Sequence, residues 1–542
     1  SNLACTNRLT VVTFMTSARP TNDRTTAALI EHAAEQFGSK TFIKEGDTAL
    51  SFAAVHEQVC HLANALVARD FNSGDRAAIW APNCAEWIVA ALAIQYVGGT
   101  LVTVNTRYKA SEAREILADS GSTVAFVVES FLGSNYAEAL AGQDLPDLAH
   151  IVALPAPGSG ESTTYHQWMS EGASAAKAIC AKREAQRESI GPDTVSDILF
   201  TSGTTGRAKG VVTAHGQNLQ AFDVFADILG LNDSDRYLII NPFFHSFGYK
   251  AGWLASLLRG ATVYPMAVFD VPAVLEAISR DQITVMPGPP TLFQSILMHP
   301  DRADFDISSL KKATTGAATI PTQLIVEMRE TLGIDTVITA YGLSETCGLV
   351  TMCRQGDDPD TIAKTSGRAI PGIELGIMRS DGSLAAADES GEIVVRGFNV
   401  MQCYFNNEQA THETIDENGW LHTGDIGSLD ASGNIRITDR LKDMFISGGF
   451  NCYPAEIENQ LLNHDEVAQV AVVGMPDERM GEVTAAFVVR TAKSRLAEGD
   501  LIAWSKAQMA NYKVPRKIIF MDALPLNASG KVLKTELRAL LS

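Results

Sequence analysis

Residues 200–210 read Phe200-Thr201-Ser202-Gly203-Thr204-Thr205-Gly206-Arg207-Ala208-Lys209-Gly210, entered from apolar Ile198 and Leu199 and left through Val211 and Val212. The apolar flanks predict two strands, and the stretch between them predicts a loop that holds an anion. Gly203, Gly206 and Gly210 permit backbone conformations that other residues resist, so successive N–H groups can converge on a phosphate. Thr201, Ser202, Thr204 and Thr205 add hydroxyl donors, and Lys209 adds a point charge. Ser, Thr and Gly are also ordinary turn residues, so composition alone leaves an exposed hairpin equally open. The stretch is not a Walker A loop, because Lys209 is followed by Gly210 rather than Ser or Thr, and it does not open a helix.

Outward from this loop, strand and helix signals alternate. Segments 25–37 and 51–69 carry helical periodicity, 76–80 reads as a buried strand, and 86–97 reads as a helix closed by Gly98-Gly99. Strands at 101–104 and 124–128 flank a helix over 111–119, a βαβ layout with parallel strands. An Ala-rich, charged stretch over 172–187 predicts one exposed helix leading to the loop. Past residue 375 the pattern shifts to short strands with Asp381-Gly382 and Ser432-Gly433 turns. The last hundred residues read as a separate small α/β unit, with Pro454 at a first helical position and strands over 470–473 and 485–489.

The expected fold is therefore α/β. A large N-terminal domain, residues 1–440, has parallel-rich sheets flanked by helices plus a β-rich subdomain, and a small C-terminal α/β domain covers 441–542. At 542 residues the chain exceeds a single ordinary core, which requires more than one domain. A formal charge of -20 argues against nucleic acid or an anionic membrane as partner. The eight cysteines are scattered with no CxxC pair, so neither a zinc site nor a disulfide framework is expected, and a cytoplasmic location follows. The apolar run 9–15 is too short to span a bilayer and lacks a signal-peptide layout.

In order and identity, the full string 200–210 resembles the phosphate loop of the adenylate-forming enzymes, the superfamily of acyl-CoA synthetases, peptide-synthetase adenylation domains and firefly luciferase. Further segments resemble that superfamily in its own motif order. Tyr341-Gly342-Leu343-Ser344-Glu345-Thr346 is similar to its Tyr-Gly-x-Thr-Glu segment, with Ser344 replacing the commoner Thr. The resemblance implies an aromatic ring on adenine, a hydroxyl on the α-phosphate and a carboxylate on Mg2+, so Glu345, with Thr204, is the expected metal ligand. Thr315-Gly316-Ala317-Ala318 resembles the turn along adenine and the acyl group. Asp425 and Arg440 resemble the ribose-binding pair, and Lys442 the hinge.

Near the C-terminus, Pro525-Leu526-Asn527-Ala528-Ser529-Gly530-Lys531 resembles the loop that carries the mobile catalytic lysine, which makes Lys531 the first catalytic candidate. Ser447-Gly448-Gly449-Phe450 resembles the loop lining the pantetheine tunnel of CoA. Lys513, Arg516 and Lys517 are candidates for CoA phosphates, although a charge run is also a common solvated face. The acid pocket is expected from Phe244, His245, Phe247, Gly248 and Tyr249 in Pro242–Lys250, and from Gly288. For His245 a catalytic position and a packed core histidine stay equally open, and Tyr249 or Lys250 are expected to offer polar contacts to the acid.

The reaction so implied joins a small-molecule carboxylic acid to CoA at the expense of ATP, by way of an acyl-AMP. The wording of 241–252, 287–291 and 340–345 resembles bacterial ligases acting on the propanoate side chain of a bicyclic ring remnant in steroid breakdown. Fatty-acyl ligases and carrier-protein adenylation enzymes are the alternatives, and a homo-oligomer stays open.

Overall fold

The computed structural model describes residues 24–159, 162–201, 208–316, 320–440, 443–447, 450–477, 479–492, 494–509, 511–526 and 532–541. Two large sheets carry the N-terminal part. In the first, His150–Leu154, Val124–Val128, Arg76–Trp80, Thr100–Thr103 and Val195–Thr201 run parallel, and Lys209–Ala214 and Cys403–Tyr404 close the edge antiparallel. In the second, Thr336–Tyr341, Lys312–Thr315, Val285–Pro287, Arg236–Ile239, Thr262–Pro265 and Thr41–Glu45 form a parallel block, with antiparallel strands only at its margins.

The strands are near-continuous apolar runs because both faces are covered, as parallel sheets require. Helix Ala85–Tyr96 shows the same logic: eleven of its residues are buried, and it is apolar on every side rather than along one stripe. Its Trp87 meets Phe243 at 5.5 Å and Trp253 at 6.1 Å between ring centroids. One continuous core thus runs beneath both sheets.

A four-stranded antiparallel sheet of Ile373–Met378, Gly391–Gly397, Leu421–Leu429 and Ile435–Arg440 supplies the expected β-rich subdomain. The C-terminal unit has its own sheet, built on the long hairpin Val467–Asp477/Gly481–Arg490, with Lys517–Met521 parallel to the second strand. Separate apolar clusters lie on its two faces, one around Ile457, Leu461 and Val472 and the other around Val473, Phe487 and Leu537.

The exposed helix expected over 172–187 is present but starts five residues later, at Lys177. Helix Thr163–Ala173 ends at the start of that stretch and a second, Lys177–Glu188, follows with no buried residue. Gly172 packs so tightly on the backbone of His61 that a Cβ would lie 1.8 Å from its carbonyl oxygen. Asn64 Nδ2 donates to the Gly172 carbonyl at 3.0 Å, so the first helix docks at its end and the chain must turn away.

Candidate active site

Strands Val195–Thr201 and Lys209–Ala214 pair antiparallel with Thr201 opposite Lys209, two strands where the flanking apolar runs predict them. Ser202, Gly203, Thr204, Thr205 and Gly206 lie outside the described residues. The edge strand Cys403–Tyr404 joins the returning strand, with Tyr404 opposite Val211. Lys209 Nζ sits 4.9 Å from the centre of the Tyr404 ring, within cation–π range. The Tyr404 hydroxyl donates to Glu345 Oε1 at 2.7 Å. Burial and the neighbouring Glu345 carboxylate push the Tyr404 phenol well above its ordinary pKa, which keeps it a donor. Lys209, Tyr404 and Glu345 are thereby brought together from three separate parts of the chain. Tyr404 was missed by sequence reasoning; its strand is two residues long and carries no periodicity.

Glu345 occupies a single 3-10 turn, Ser344–Thr346, after strand Thr336–Tyr341. The turn is closed by Gly348 N–H donating to the Leu343 carbonyl at 2.7 Å, with Gly348 at φ 100°. Gly342 must be glycine here, because a Cβ would lie 2.3 Å from the Gly348 carbonyl oxygen. Tyr341, at the strand end, donates its hydroxyl to Asp425 Oδ2 at 2.6 Å. Asp425 is buried in strand Leu421–Leu429, and its strand partner across the ladder is Arg440, of which the backbone alone is described.

The remaining candidates follow the C-terminal ends of adjacent parallel strands, where open α/β sheets bind their ligands. Gly316 follows Lys312–Thr315, Gly288 follows Val285–Pro287, and the segment with His245 follows Arg236–Ile239. Gly288 N–H donates to the Thr314 carbonyl at 3.0 Å. Asn83 ties down the His245 segment: Nδ2 donates to the carbonyls of Ile239 and Asn241, and Oδ1 accepts from Phe243 N–H at 2.7 Å. Thr103 Oγ1 holds the Phe244 carbonyl at 2.8 Å. Neither Asn83 nor Thr103 stood out in sequence, since a strand-ending Pro-Asn and a strand Thr are routine.

His245 is exposed and its Nδ1 accepts from Phe247 N–H at 3.3 Å, so it is not a packed core histidine. Phe244 and Phe247 are half-buried beside it, and Gly248 is buried in the turn. Tyr249 and Lys250 correct their reading as polar contacts for the acid. Tyr249 is 1% exposed, stacks on Trp253 at 4.8 Å, and its hydroxyl accepts from Gln95 Nε2 at 2.7 Å. Lys250 is equally buried and pairs with Asp197.

In the C-terminal unit, Ser447 pairs with Phe450 in an antiparallel ladder, and Leu526 and Val532 form an antiparallel bridge. Ala317, Ala318, Lys442, Gly448, Gly449 and Lys531 lie outside the described residues, as does the Phe450 side chain. The basic cluster is partly spent: Lys513 is ion-paired with Glu456, and Arg516 donates to Asn511, while Lys517 is exposed.

The described candidates thus gather along the C-terminal edge of a parallel sheet, where α/β enzymes bind their ligands. The AMP-binding enzyme family matches residues 30–405, and the AMP-binding enzyme C-terminal domain matches 456–531. The chain belongs to the AMP-binding enzymes. A 3-[(3aS,4S,7aS)-7a-methyl-1,5-dioxo-octahydro-1H-inden-4-yl]propanoyl:CoA ligase from Rhodococcus jostii (strain RHA1) is 49% identical over 516 residues, 95% of this chain and 98% of its own length. Among solved structures, the anthranilate CoA ligase AuaEII in complex with anthranoyl-AMP is similar with TM-score 0.84 and 26% identity, covering 97% of this chain and 98% of that one. The o-succinylbenzoate CoA synthetase MenE from Bacillus subtilis, in complex with ATP and magnesium ion, is similar with TM-score 0.79 and 31% identity, covering 95% and 98%. No helix among the described residues is long and apolar enough to cross a membrane.

Proposed function

We propose that the protein is an ATP-dependent acid:CoA ligase that forms an acyl-AMP and then a thioester, acting on a bulky, mostly apolar ring propanoate. The observation that carries this reading is the convergence of Lys209, Tyr404 and Glu345 beside the Tyr341–Asp425 pair at the mouth of the parallel sheet. In the first half-reaction the carboxylate oxygen attacks the α-phosphate of ATP and pyrophosphate leaves. In the second, the CoA thiol attacks the acyl carbonyl and AMP leaves, keeping the bridging oxygen.

Lys209 and the hydroxyls of Thr201, Ser202, Thr204 and Thr205 hold the β- and γ-phosphates in this reading, and Ser344 donates to the α-phosphate. Asp425 and Arg440 take the ribose hydroxyls; Tyr341, Gly316, Ala317 and Ala318 flank the adenine. A half-buried, acceptor-only carboxylate suits a hard cation, so Glu345, with Thr204, would hold Mg2+, which supplies neutralisation of phosphate charge. Lys531 orients the attacking carboxylate. His245, Phe244, Phe247 and Gly288 line the acid site.

Residues 1–440 bind ATP and acid, and 441–542 turn about Lys442 to present first Lys531, then Gly448, Gly449 and Phe450 to the pantetheine arm of CoA. The seven described cysteines are free thiols, which suits a reducing compartment such as the cytoplasm. The choice of acid is supported by the 49% identity to the Rhodococcus jostii ligase and by the resemblance over 241–252.

Pyrophosphate release across a panel of acids, with and without CoA, tests the reading. A bicyclic ring propanoate giving CoA-dependent turnover is the expected result. Preference for linear fatty acids would move the substrate class, and adenylation without thioester formation would favour a carrier-protein enzyme.

A further inference from the structure

Beneath the phosphate hairpin lies a closed network of charged and polar groups that the reaction does not use. Lys250 and Asp197 are 1% and 0% exposed, with Nζ 3.0 Å from Asp197 Oδ1. Lys250 Nζ also donates to Asn218 Oδ1 at 2.8 Å and to Thr213 Oγ1 at 3.1 Å, so all three ammonium protons have acceptors. Asp197 Oδ1 accepts a second bond from Thr213 Oγ1 at 2.8 Å. Its Oδ2 accepts from Ser196 Oγ at 2.6 Å and from Asn218 Nδ2 at 2.7 Å.

These residues come from four places: Ser196 and Asp197 from the leading strand of the hairpin, Thr213 from the returning strand, Asn218 from helix His215–Leu229, and Lys250 from the segment after His245. Lys250 reaches inward because Tyr249–Leu254 is a π-helical turn, a local widening that recurs near functional sites. Gln95, on the buried helix Ala85–Tyr96, ties the same node to Tyr249 OH and to the Ser196 carbonyl.

A buried ion pair is a poor device for stability, because desolvation of both charges offsets their attraction and apolar residues fill such space as well. What it does impose is geometry. Thr213 lies opposite Asp197 in the ladder, so the pair fixes the register of both strands about 13 Å before the phosphate loop, four residues at the rise of a strand. A one-residue slip would turn Lys209 to the other face of the sheet and away from Tyr404.

We infer that Lys250 and Asp197 are positioning residues for adenylation: their buried pair locks the two strands of the phosphate hairpin to each other and to the acid-binding segment. The inference rests on the ligase reading above. The acid-binding segment keeps its own ties through Asn83 and Thr103, so loss of the pair acts on the phosphate grip first.

The test is Lys250→Met combined with Asp197→Asn, which removes both charges at nearly constant side-chain volume. The double variant is expected to stay folded, with Tm within about 5 °C of the parent. Its ATP–pyrophosphate exchange kcat should fall about 100-fold, the cost of misplacing reacting groups by about 1 Å, with little change in KM for acid. Thioester formation from supplied acyl-AMP and CoA, which needs no grip on the β- and γ-phosphates, should stay within about threefold. Hydrogen exchange over 195–214 and 241–254 should accelerate together in the variant. A folded double variant with parental exchange kcat, or equal losses in both half-reactions, overturns the inference, as does unchanged hydrogen exchange. A parent that shows no pyrophosphate exchange with any acid defeats the ligase reading instead, and hydrogen exchange then still decides whether the pair couples the two segments.

Discussion

Tyr404→Phe isolates one hydrogen bond at the centre of the site. The ring stays, and with it the packing against Val211, Met401, Ala410 and Leu421 and the contact beneath Lys209. What goes is the hydroxyl that donates to Glu345 at 2.7 Å. A hydrogen bond to a charged group contributes about 1.5–3 kcal/mol, and each 1.4 kcal/mol is about a factor of ten. Glu345 is half-buried, so water can replace part of the lost donor and the low end of the range applies. Acid-dependent ATP–pyrophosphate exchange should then show kcat/KM for ATP down about tenfold, with KM for acid unchanged and Tm nearly parental. Tyr404→Leu, which also removes the ring beneath Lys209, should lose about 0.5–1 kcal/mol more. Exchange by Tyr404→Phe within about twofold of the parent at every Mg2+ concentration would refute the assignment of Tyr404 as the group that orients Glu345.

Lys531→Ala should abolish acyl-AMP formation yet leave thioester formation from supplied acyl-AMP largely intact; equal loss in both halves would remove Lys531 from its role. Gly342→Ala drives a methyl into the Gly348 carbonyl, so it should destabilise the 341–348 turn by about 1–3 kcal/mol and weaken ATP binding measured by calorimetry. Half-buried Glu45 and fully buried His215 set opposing pH slopes. Burial pushes Glu45 from 4.5 up to about 7, so the folded chain holds a proton that the unfolded chain has lost, and stability falls as pH rises through that window. Burial lowers His215 from 6.5 to about 4, so the unfolded chain binds the extra proton, and stability falls as pH drops through that window. Glu45→Gln keeps the acceptor for Ala85 N–H and removes the first slope. Its Tm should therefore rise from pH 4.5 to 6.5 more steeply than the parent's, and an unchanged profile would clear Glu45 as the source.

Much of this arrangement was legible in the chain because periodicity and motif order are local. The strands either side of 202–207, the buried helix before Gly98-Gly99 and the strands at 76–80 and 124–128 all follow from runs of apolar residues. Groups that act through distant partners were not. Tyr404 lies 59 residues from Glu345 on a strand too short to show alternation. Lys250 stands in an otherwise apolar segment, which reads as an acid pocket until the π-helical turn rotates it inward toward Asp197. The signal available was a pair of lone charges, Asp197 and Lys250, each inside an apolar run, since such charges are buried only when paired. The split at 174–176 depends on Gly172 meeting His61, a tertiary contact that overrides a strong helical composition.

The central claim, that the acid is activated as an adenylate, is tested most directly by the fate of one oxygen atom. With a bicyclic ring propanoate labelled with oxygen-18 in its carboxylate, together with ATP, Mg2+ and CoA, mass spectrometry of the products should find one labelled oxygen in AMP and one in the thioester carbonyl. Unlabelled AMP, or label in inorganic phosphate with ADP as the nucleotide product, would contradict the acyl-AMP route.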